Sequence, residues 1–446
     1  MEFVPLTVED RKLMLKQIGV PSFDALLAGI PKSIPRADLN LPHGFSEPEL
    51  ARCAQDLASR NVTAASHVSF LGAGAYEHFI PSVVRYLSSR GEFLTAYTPY
   101  QAEASQGTLQ AMYEFQSLIC DLTGMDVANA SLYEGASALA EGCLLALRET
   151  ERPKLVIARG VHPEYRQTLG TNLRQTKAQI LEIPHSGGVS DLKKAEDQID
   201  GETAAVVVQM PNAFGCLEPV KALGEIAHRR GALFIVAVNP ISLGILKSPG
   251  SYGADIVVGE GQPLGTDLLY GGPYLGLFAC REASLRKVPG RIVGMTKDTH
   301  GRRGFVLTLQ TREQHIRRSK ATSNICTNEA MMALAAAVYL GALGKEGFRE
   351  AATQNLLKSH YCFDQLVKLS GVKPLFTAPF FNEFAVDLPV DPEQLNRELL
   401  SQGFLGGFPL KRWDPKLSSG WLVCVTEARS REQIDRFVSA VKEILR

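Results

Sequence analysis

The densest set of side chains able to do chemistry is TAYTPYQAEASQG (95–107), where Tyr97, Thr98, Tyr100, Gln101, Ser105 and Gln106 crowd one polar, aromatic loop ahead of a helical pattern. Hydroxyls and amides on a loop held by a rigid scaffold suit the binding and orientation of a small polar substrate. A plainer role fits the same residues, with the tyrosines as amphipathic anchors and Ser105 as an N-cap. A second set lies in ASLYEGASALAEG (130–142), which puts Tyr133, Glu134, Gly135 and Ser137 at a loop-to-helix junction. Free main-chain amides and the helix dipole favour an anion such as a phosphate there. A capped helix start with small residues for tight packing has the same signature.

Two further stretches stand out. GEGQPLGTDLLYGGP (259–273) holds five glycines in fifteen residues directly after a strand pattern, a density that suggests close backbone approach to a ligand or partner. TREQHIRRSKATSNICT (311–327) supplies Arg312, His315, Arg317, Arg318 and Lys320, then a Ser/Thr/Asn cluster that caps the next helix. A solvated face presents a basic run of this kind as well.

Other chemistries are excluded by what is missing. FLGAGAY (70–76) lacks the third glycine and the downstream acid of a dinucleotide fingerprint. The nine histidines are dispersed, without the i, i+4 pairing of a helical metal site, and neither GxSxG nor a Walker sequence occurs. No metal is expected, and hydrolase and nucleoside triphosphatase activities fall away. The eight cysteines form no close pairs. Apolar neighbours, as in SLICDL and WLVCVT, predict core packing and a reducing cytosol.

The elements that must position these residues follow from periodicity. Residues 6–60 read as short helices separated by the proline-bearing stretch Pro31–Pro42, which suits an extended arm (1–60) that packs on a larger body or a partner. A helix is predicted from Ser105 to about Thr123, with Leu109, Met112, Phe115, Ile119 and Leu122 on one stripe. Apolar runs then follow at KLVIA (154–158), AQILEI (178–183), AAVVVQM (204–210), LFIVAV (233–238), DIVVG (255–259) and YLGLFA (274–279), mostly with helices between. Such alternation means an α/β domain with a mostly parallel, doubly covered sheet, here assigned to 61–330. A long helical stretch from 328 to about 369 leads into FFNEFAVDL, GFLGGFPL and GWLVCVTEA and a closing helix. That is a smaller α+β domain, 331–446.

The 446 residues carry 47 Lys plus Arg against 47 Asp plus Glu, so no charge excess exists to hold a phosphate backbone, and nucleic acid is excluded as a partner. The hydrophobic content of 45% is ordinary for a globular protein. No run reaches the roughly 18 apolar residues of a membrane span. MEFVPLTVEDRKLML lacks the basic n-region and apolar run of an export signal. A cytoplasmic protein without membrane association is expected.

Taken in order, FLGAGAYEHFIP, TAYTPYQAEASQGTLQAMYEFQ, SLYEGASALAE, VVVQMPNAFGCLE, DIVVGEGQPLG, YGGPYLGLFA, PGRIVG and TREQHIRRSKATSNICTNEA resemble the glycine decarboxylase P-protein family of the glycine cleavage system. More narrowly they resemble its amino-terminal half, which many bacteria make as a separate first subunit. The resemblance implies a pyridoxal-phosphate fold-type I body, with a mixed seven-stranded sheet and a smaller α+β domain. It implies the oxidoreductase step of glycine catabolism in which glycine is decarboxylated and its aminomethyl group passes to the lipoyl H-protein. Such enzymes hold their cofactor by a Schiff-base lysine downstream of an Asp that pairs with the pyridinium. Here Asn239 follows the strand in the place of that Asp, and Gln262 and Pro263 stand where the lysine belongs.

No catalytic lysine is therefore assigned to this chain. The resemblance implies that pyridoxal phosphate is covalently held by a homologous second subunit, in an α2β2 heterotetramer whose active site lies near the subunit junction. Tyr97, Thr98, Tyr100, Gln101, Ser105 and Gln106 are then expected to line the substrate or lipoyl site. Tyr133, Glu134, Gly135 and Ser137 form an anion or interface loop, and Arg312, His315 and Gln262 are interface candidates. Two alternatives remain: an independent fold-type I enzyme using Lys247 or Lys320, and a structural or regulatory pseudo-subunit outside the chemistry.

Overall fold

The structure, a computed structural model, describes residues 6–31, 33–34 and 40–446. The chain divides into two compact units, Met1–Val62 and Thr63–Arg446. In the first, helices Val8–Ile18 and Glu47–Ala58 each begin with a capping box, Thr7 with Asp10 and Ser46 with Glu49, and neither helix buries a residue. Parts of the Pro31–Pro42 stretch and the first five residues of the amino-terminal segment lie outside the described residues.

In the second unit the apolar runs assemble as expected into one mixed, mostly parallel sheet. Its strands are β1 (Val127–Ala128), β2 (Lys154–Ala158), β3 (Gln179–Ile183), β4 (Thr203–Met210), β5 (Leu233–Val238), β6 (Ile256–Glu260) and β7 (Gly276–Cys280), in the spatial order β1-β7-β6-β5-β4-β2-β3. Strands β3, β2, β4, β5 and β6 run parallel, and β7 pairs antiparallel with both β6 and β1. Helices α1 (Gln106–Thr123), α2 (Gly135–Thr150) and α3 (Pro163–Leu173) precede or connect the early strands. All five residues of β2 and of β6 are buried, as strands covered on both faces must be. The edge strand β3 departs from that pattern, with its first four residues exposed, because no further strand flanks it. Strand β1 has no apolar run to announce it, since only two of its residues pair.

Helix α1 keeps Leu109, Met112, Phe115 and Ile119 buried on its predicted stripe, with Leu122 only partly covered. No sequence run marks the hairpin of Ile292–Lys297 with Arg303–Thr308. Its buried residues are only Ile292 and Val293 on one strand and Phe305 and Leu307 on the other, and its turn is held by Asp298, which accepts main-chain bonds from His300 and Arg302 at 2.8 and 2.9 Å. Helix α4 (Ala330–Leu366) kinks at Gly344, where φ is +58°. Its first half, including Ala336 and Tyr339, packs on the sheet core, and its last turns place Cys362 and Leu366 in a second core with Trp421, Phe384 and Phe437. Five cysteines are buried as predicted, whereas Cys120 is partly covered and Cys53 and Cys326 are exposed on non-sheet segments. Among the described residues no helix is long and apolar enough to cross a membrane, and no group of three or more metal-ligating side chains gathers.

Candidate functional site

The carboxyl ends of β5 and β6 are where a parallel sheet of this kind offers a ligand crevice. At the end of β5, Asn239 turns its amide oxygen onto the Ile241 N–H at 3.1 Å, a local turn contact. At the end of β6 stand Glu260 and Gln262. Gln262 is 1% exposed. Its Oε1 accepts from the Tyr76 N–H at 2.9 Å, and its Nε2 donates to the Tyr76 carbonyl at 2.9 Å and the Thr266 carbonyl at 2.7 Å. Every polar atom of the side chain is therefore used inside this chain, where a lysine would have to reach out of the wall.

The helix terminus beside it is filled too. Gly135 opens α2, and its N–H donates to Glu260 Oε2 at 3.0 Å, while Glu260 Oε1 accepts from Gln262 and Leu275 N–H groups at 2.9 and 3.0 Å. The Ser137 N–H donates to Glu134 Oε2 at 2.7 Å, and the Ser137 hydroxyl bonds the other oxygen of that carboxylate. A Cβ at Gly135 would collide with the Tyr165 hydroxyl. Two carboxylates and a phenol thus occupy the anion cradle that the loop-to-helix junction predicts. A phosphate would meet like charge, with the Gly135 and Ser137 amides already taken. Burial pushes the Glu260 carboxyl up to about 7 against the pull of its three main-chain donors, and pushes the Tyr165 phenol well above its ordinary range. The residues present do not fit a covalently or non-covalently held pyridoxal phosphate in this crevice.

From Gln262 a buried polar chain leads toward the carboxyl-terminal sheet. The Tyr76 hydroxyl donates to Glu383 Oε2 at 2.7 Å, and the Ala73 N–H donates to Glu383 Oε1 at 2.7 Å. Glu383 is raised to about 7 by burial. His162 Nε2 lies 2.9 Å from the Ala73 carbonyl, and burial lowers its pKa. Sequence reasoning singled out neither Glu260, Tyr165 nor Glu383, since none of them belongs to a recognisable motif; the acid that ends β6 was the one available signal.

The remaining predicted residues gather elsewhere. Tyr97 is 88% and Tyr100 54% exposed. The Thr98 hydroxyl is buried without a partner, and Gln101 is exposed. Ser105 sits at the N-cap of α1, making its cap through its carbonyl, which accepts from the Leu109 N–H at 3.0 Å, with no side-chain bond. Gln106 is structural in its contacts: Nε2 donates to the Phe305 carbonyl at 2.8 Å and Oε1 accepts from the Phe305 N–H at 2.9 Å, pinning α1 to the hairpin. The Tyr100 ring meets the His315 ring edge-on at 6.0 Å, and His315 Nδ1 is 3.5 Å from Glu313. Arg312 directs its guanidinium to the carbonyls of Leu309 at 3.1 Å, Gly290 at 3.0 Å and Val288. The Tyr133 hydroxyl accepts from the Cys326 N–H at 3.4 Å. The tyrosine loop, the basic run and the Tyr133 junction thus form one contiguous surface region, while Gly135, Ser137 and Gln262 lie in the filled crevice.

Comparison with known proteins places this architecture. Residues 1–441 match the model of the glycine cleavage system P-protein family. The chain is 53% identical, over the whole length of both chains, to a Desulfitobacterium hafniense protein named "Probable glycine dehydrogenase (decarboxylating) subunit 1". A Chlorobaculum tepidum protein of the same name is 51% identical over 98% of this chain and 99% of its own. Among solved structures, an inhibitor-bound glycine decarboxylase (P-protein) of the glycine cleavage system superposes with a TM-score of 0.93 at 46% identity, covering all of both chains. A Lactobacillus brevis glutamate decarboxylase, 14% identical, matches with a TM-score of 0.70 over 92% of this chain and 94% of its own, which speaks for the fold alone. That fold is the fold-type I architecture of pyridoxal-phosphate enzymes.

Proposed function

The chain belongs to the glycine cleavage system P-protein family, and from that membership we propose that it is the non-autonomous half of a glycine-decarboxylating enzyme, completed by a lysine-bearing partner subunit. The observation that carries this reading is the filled crevice: Glu260, Gln262 and Tyr165 take up the space and the amides that a cofactor would need. Pyridoxal phosphate is then held by the partner, in an α2β2 assembly in the cytoplasm. In the overall reaction the bond between Cα and the carboxyl group of glycine breaks. The carbon keeps its amino group and bonds to one sulfur of the lipoyl disulfide of the H-protein, the other sulfur leaves as a thiol, and carbon dioxide is released.

This chain's part is to shape the mouth of the shared site. Tyr97 and Tyr100 offer exposed phenols, and Thr98 a buried hydroxyl with no partner of its own. These three and Gln101 line the substrate or lipoyl approach, while Ser105 and Gln106 hold the foot of the loop on α1. His315 and Glu313 back the Tyr100 ring, and Arg312 keeps the 288–290 turn in place behind them. The body of residues 61–330 carries this surface and residues 331–446 buttress it.

The test is to purify the chain alone and with its lysine-bearing partner, add pyridoxal phosphate, and measure borohydride-stable cofactor incorporation and exchange of bicarbonate into the carboxyl of glycine. Both signals are expected only with the partner. Incorporation and exchange by the isolated chain would overturn the reading. In the complex, Tyr97→Ala combined with Tyr100→Ala is expected to depress exchange while co-purification is retained; unchanged kinetics would remove the loop from the site and favour a purely structural subunit.

A further inference from the structure

Arg291 is 4% exposed and lies just before the first strand of the Ile292–Lys297 hairpin. Burying a guanidinium is expensive unless an acid offsets its charge. Among the described residues no carboxylate pairs with Arg291, and its Nε has no acceptor. Its two terminal nitrogens instead hold neutral groups: Nη1 donates to Asn328 Oδ1 at 3.0 Å, and Nη2 donates to the Cys326 carbonyl at 3.0 Å. The guanidinium carbon lies 5.7 Å from the centre of the Tyr100 ring, within cation–π range. The main chain completes the junction. The Arg291 carbonyl accepts from the Ala130 N–H at 2.8 Å, and Asn328 Nδ2 donates to the Ala130 carbonyl at 2.6 Å.

Arg291 therefore links the three segments that form the surface region: its side chain meets the tyrosine loop at Tyr100 and the end of the basic run at Cys326 and Asn328, and its carbonyl, with Asn328, holds Ala130 on the approach to Tyr133. We propose that Arg291 is the positioning residue of the shared site, fixing Tyr100 against the Cys326–Asn328 segment through its planar fork. The inference rests on the reading that these segments line a site completed by the partner. A rigid fork with donors in fixed directions is what three separately anchored segments require, and a lysine ammonium, a point charge on a flexible stem, does not replace it. The charge without a counter-ion is tolerated because the geometry depends on it.

The experiment uses the reconstituted two-subunit enzyme with Arg291→Lys, Arg291→Ala, Tyr100→Ala and the Arg291→Lys/Tyr100→Ala pair. Glycine-dependent bicarbonate exchange, partner association and thermal unfolding are measured for each. Arg291→Lys is expected to lower kcat roughly tenfold to a hundredfold, the scale on which a displacement of about 1 Å costs rate, with KM for glycine moving by less than about threefold and association intact. Added guanidinium is expected to restore part of the Arg291→Ala rate, and the double variant to be no slower than the worse single one, since the arginine acts through the tyrosine. A crippled Tyr100→Ala enzyme beside an unaffected Arg291→Lys enzyme overturns the role of Arg291 alone. An unaffected Tyr100→Ala enzyme overturns the site reading and this inference with it. Loss of folding or association in both arginine variants, without rescue by guanidinium, would make Arg291 a structural residue only and overturn the proposal.

Discussion

Gln262→Ala removes a side chain whose three hydrogen bonds all go to main-chain groups in a buried place. The Tyr76 N–H, the Tyr76 carbonyl and the Thr266 carbonyl lose their partner at one stroke. An orphaned buried polar group costs about 1–3 kcal/mol, so the three together should cost about 4 kcal/mol, taking values near the low end because the space vacated admits a water. The unit that unfolds spans Thr63–Arg446, roughly 380 residues, and at about 2.1 cal/mol/K per residue its unfolding entropy is roughly 0.8 kcal/mol/K. The melting temperature should therefore fall by about 5 °C, read by calorimetry or by far-ultraviolet circular dichroism. Gln262→Glu keeps the acceptor but loses the donor and sets a second carboxyl beside Glu260, so it should fall further. A shift within about 1 °C of zero for Gln262→Ala would refute the assignment of Gln262 as the clasp that closes the crevice.

Two other outcomes follow from the same buried network. Burial raises the Glu383 carboxyl from its ordinary value near 4.5 to about 7, so between those limits the native chain keeps a proton that the unfolded chain has released. Its contribution to stability is present in full below about 4.5, is lost as pH rises to about 7, and is flat above; Glu383→Gln should flatten this slope by up to about 3 kcal/mol, checked by urea midpoints across the range, and an unchanged slope would reject the assignment. Gly135→Ala sets a methyl against the Tyr165 hydroxyl and should destabilise by about 1–3 kcal/mol as an overpacked site does, with Tyr165→Phe restoring part of the loss; a neutral Gly135→Ala would mean that the start of α2 is not closely packed.

How much of this was legible beforehand differs from element to element. KLVIA and LFIVAV coincide with β2 and β5 residue for residue, because a strand buried on both faces is apolar nearly throughout, the one charge, Lys154, sitting at the end of β2 where it pairs with Asp200. The hairpin of Ile292–Lys297 and Arg303–Thr308 was not legible, because Gly294 and Gly304 interrupt its apolar residues, both faces mix apolar with polar side chains, and its turn rests on the side chain of Asp298. The candidate residues divide in the same way. That GEGQPLG carries Gln262 and Pro263 and no lysine after its strand could be read, and so could the crowding of Tyr97, Thr98 and Tyr100 ahead of α1. That Glu260 caps the helix opened by Gly135, 125 positions away in the chain, could not.

The sequence by itself determined the α/β class, the glycine-rich turn after β6 with Gln262 and Pro263 in it, and the family, since these depend on residue type, local order and periodicity. Only the tertiary structure decided that the crevice is filled, that Gln262 faces inward, and that Arg291 joins the tyrosine loop to the segment before α4. Those outcomes depend on which buried donor meets which acceptor across distant parts of the chain. A single sequence carries no trace of such a pairing, because each partner alone is an ordinary polar residue, and only the packed interior, where an unpaired polar group is costly, obliges them to meet.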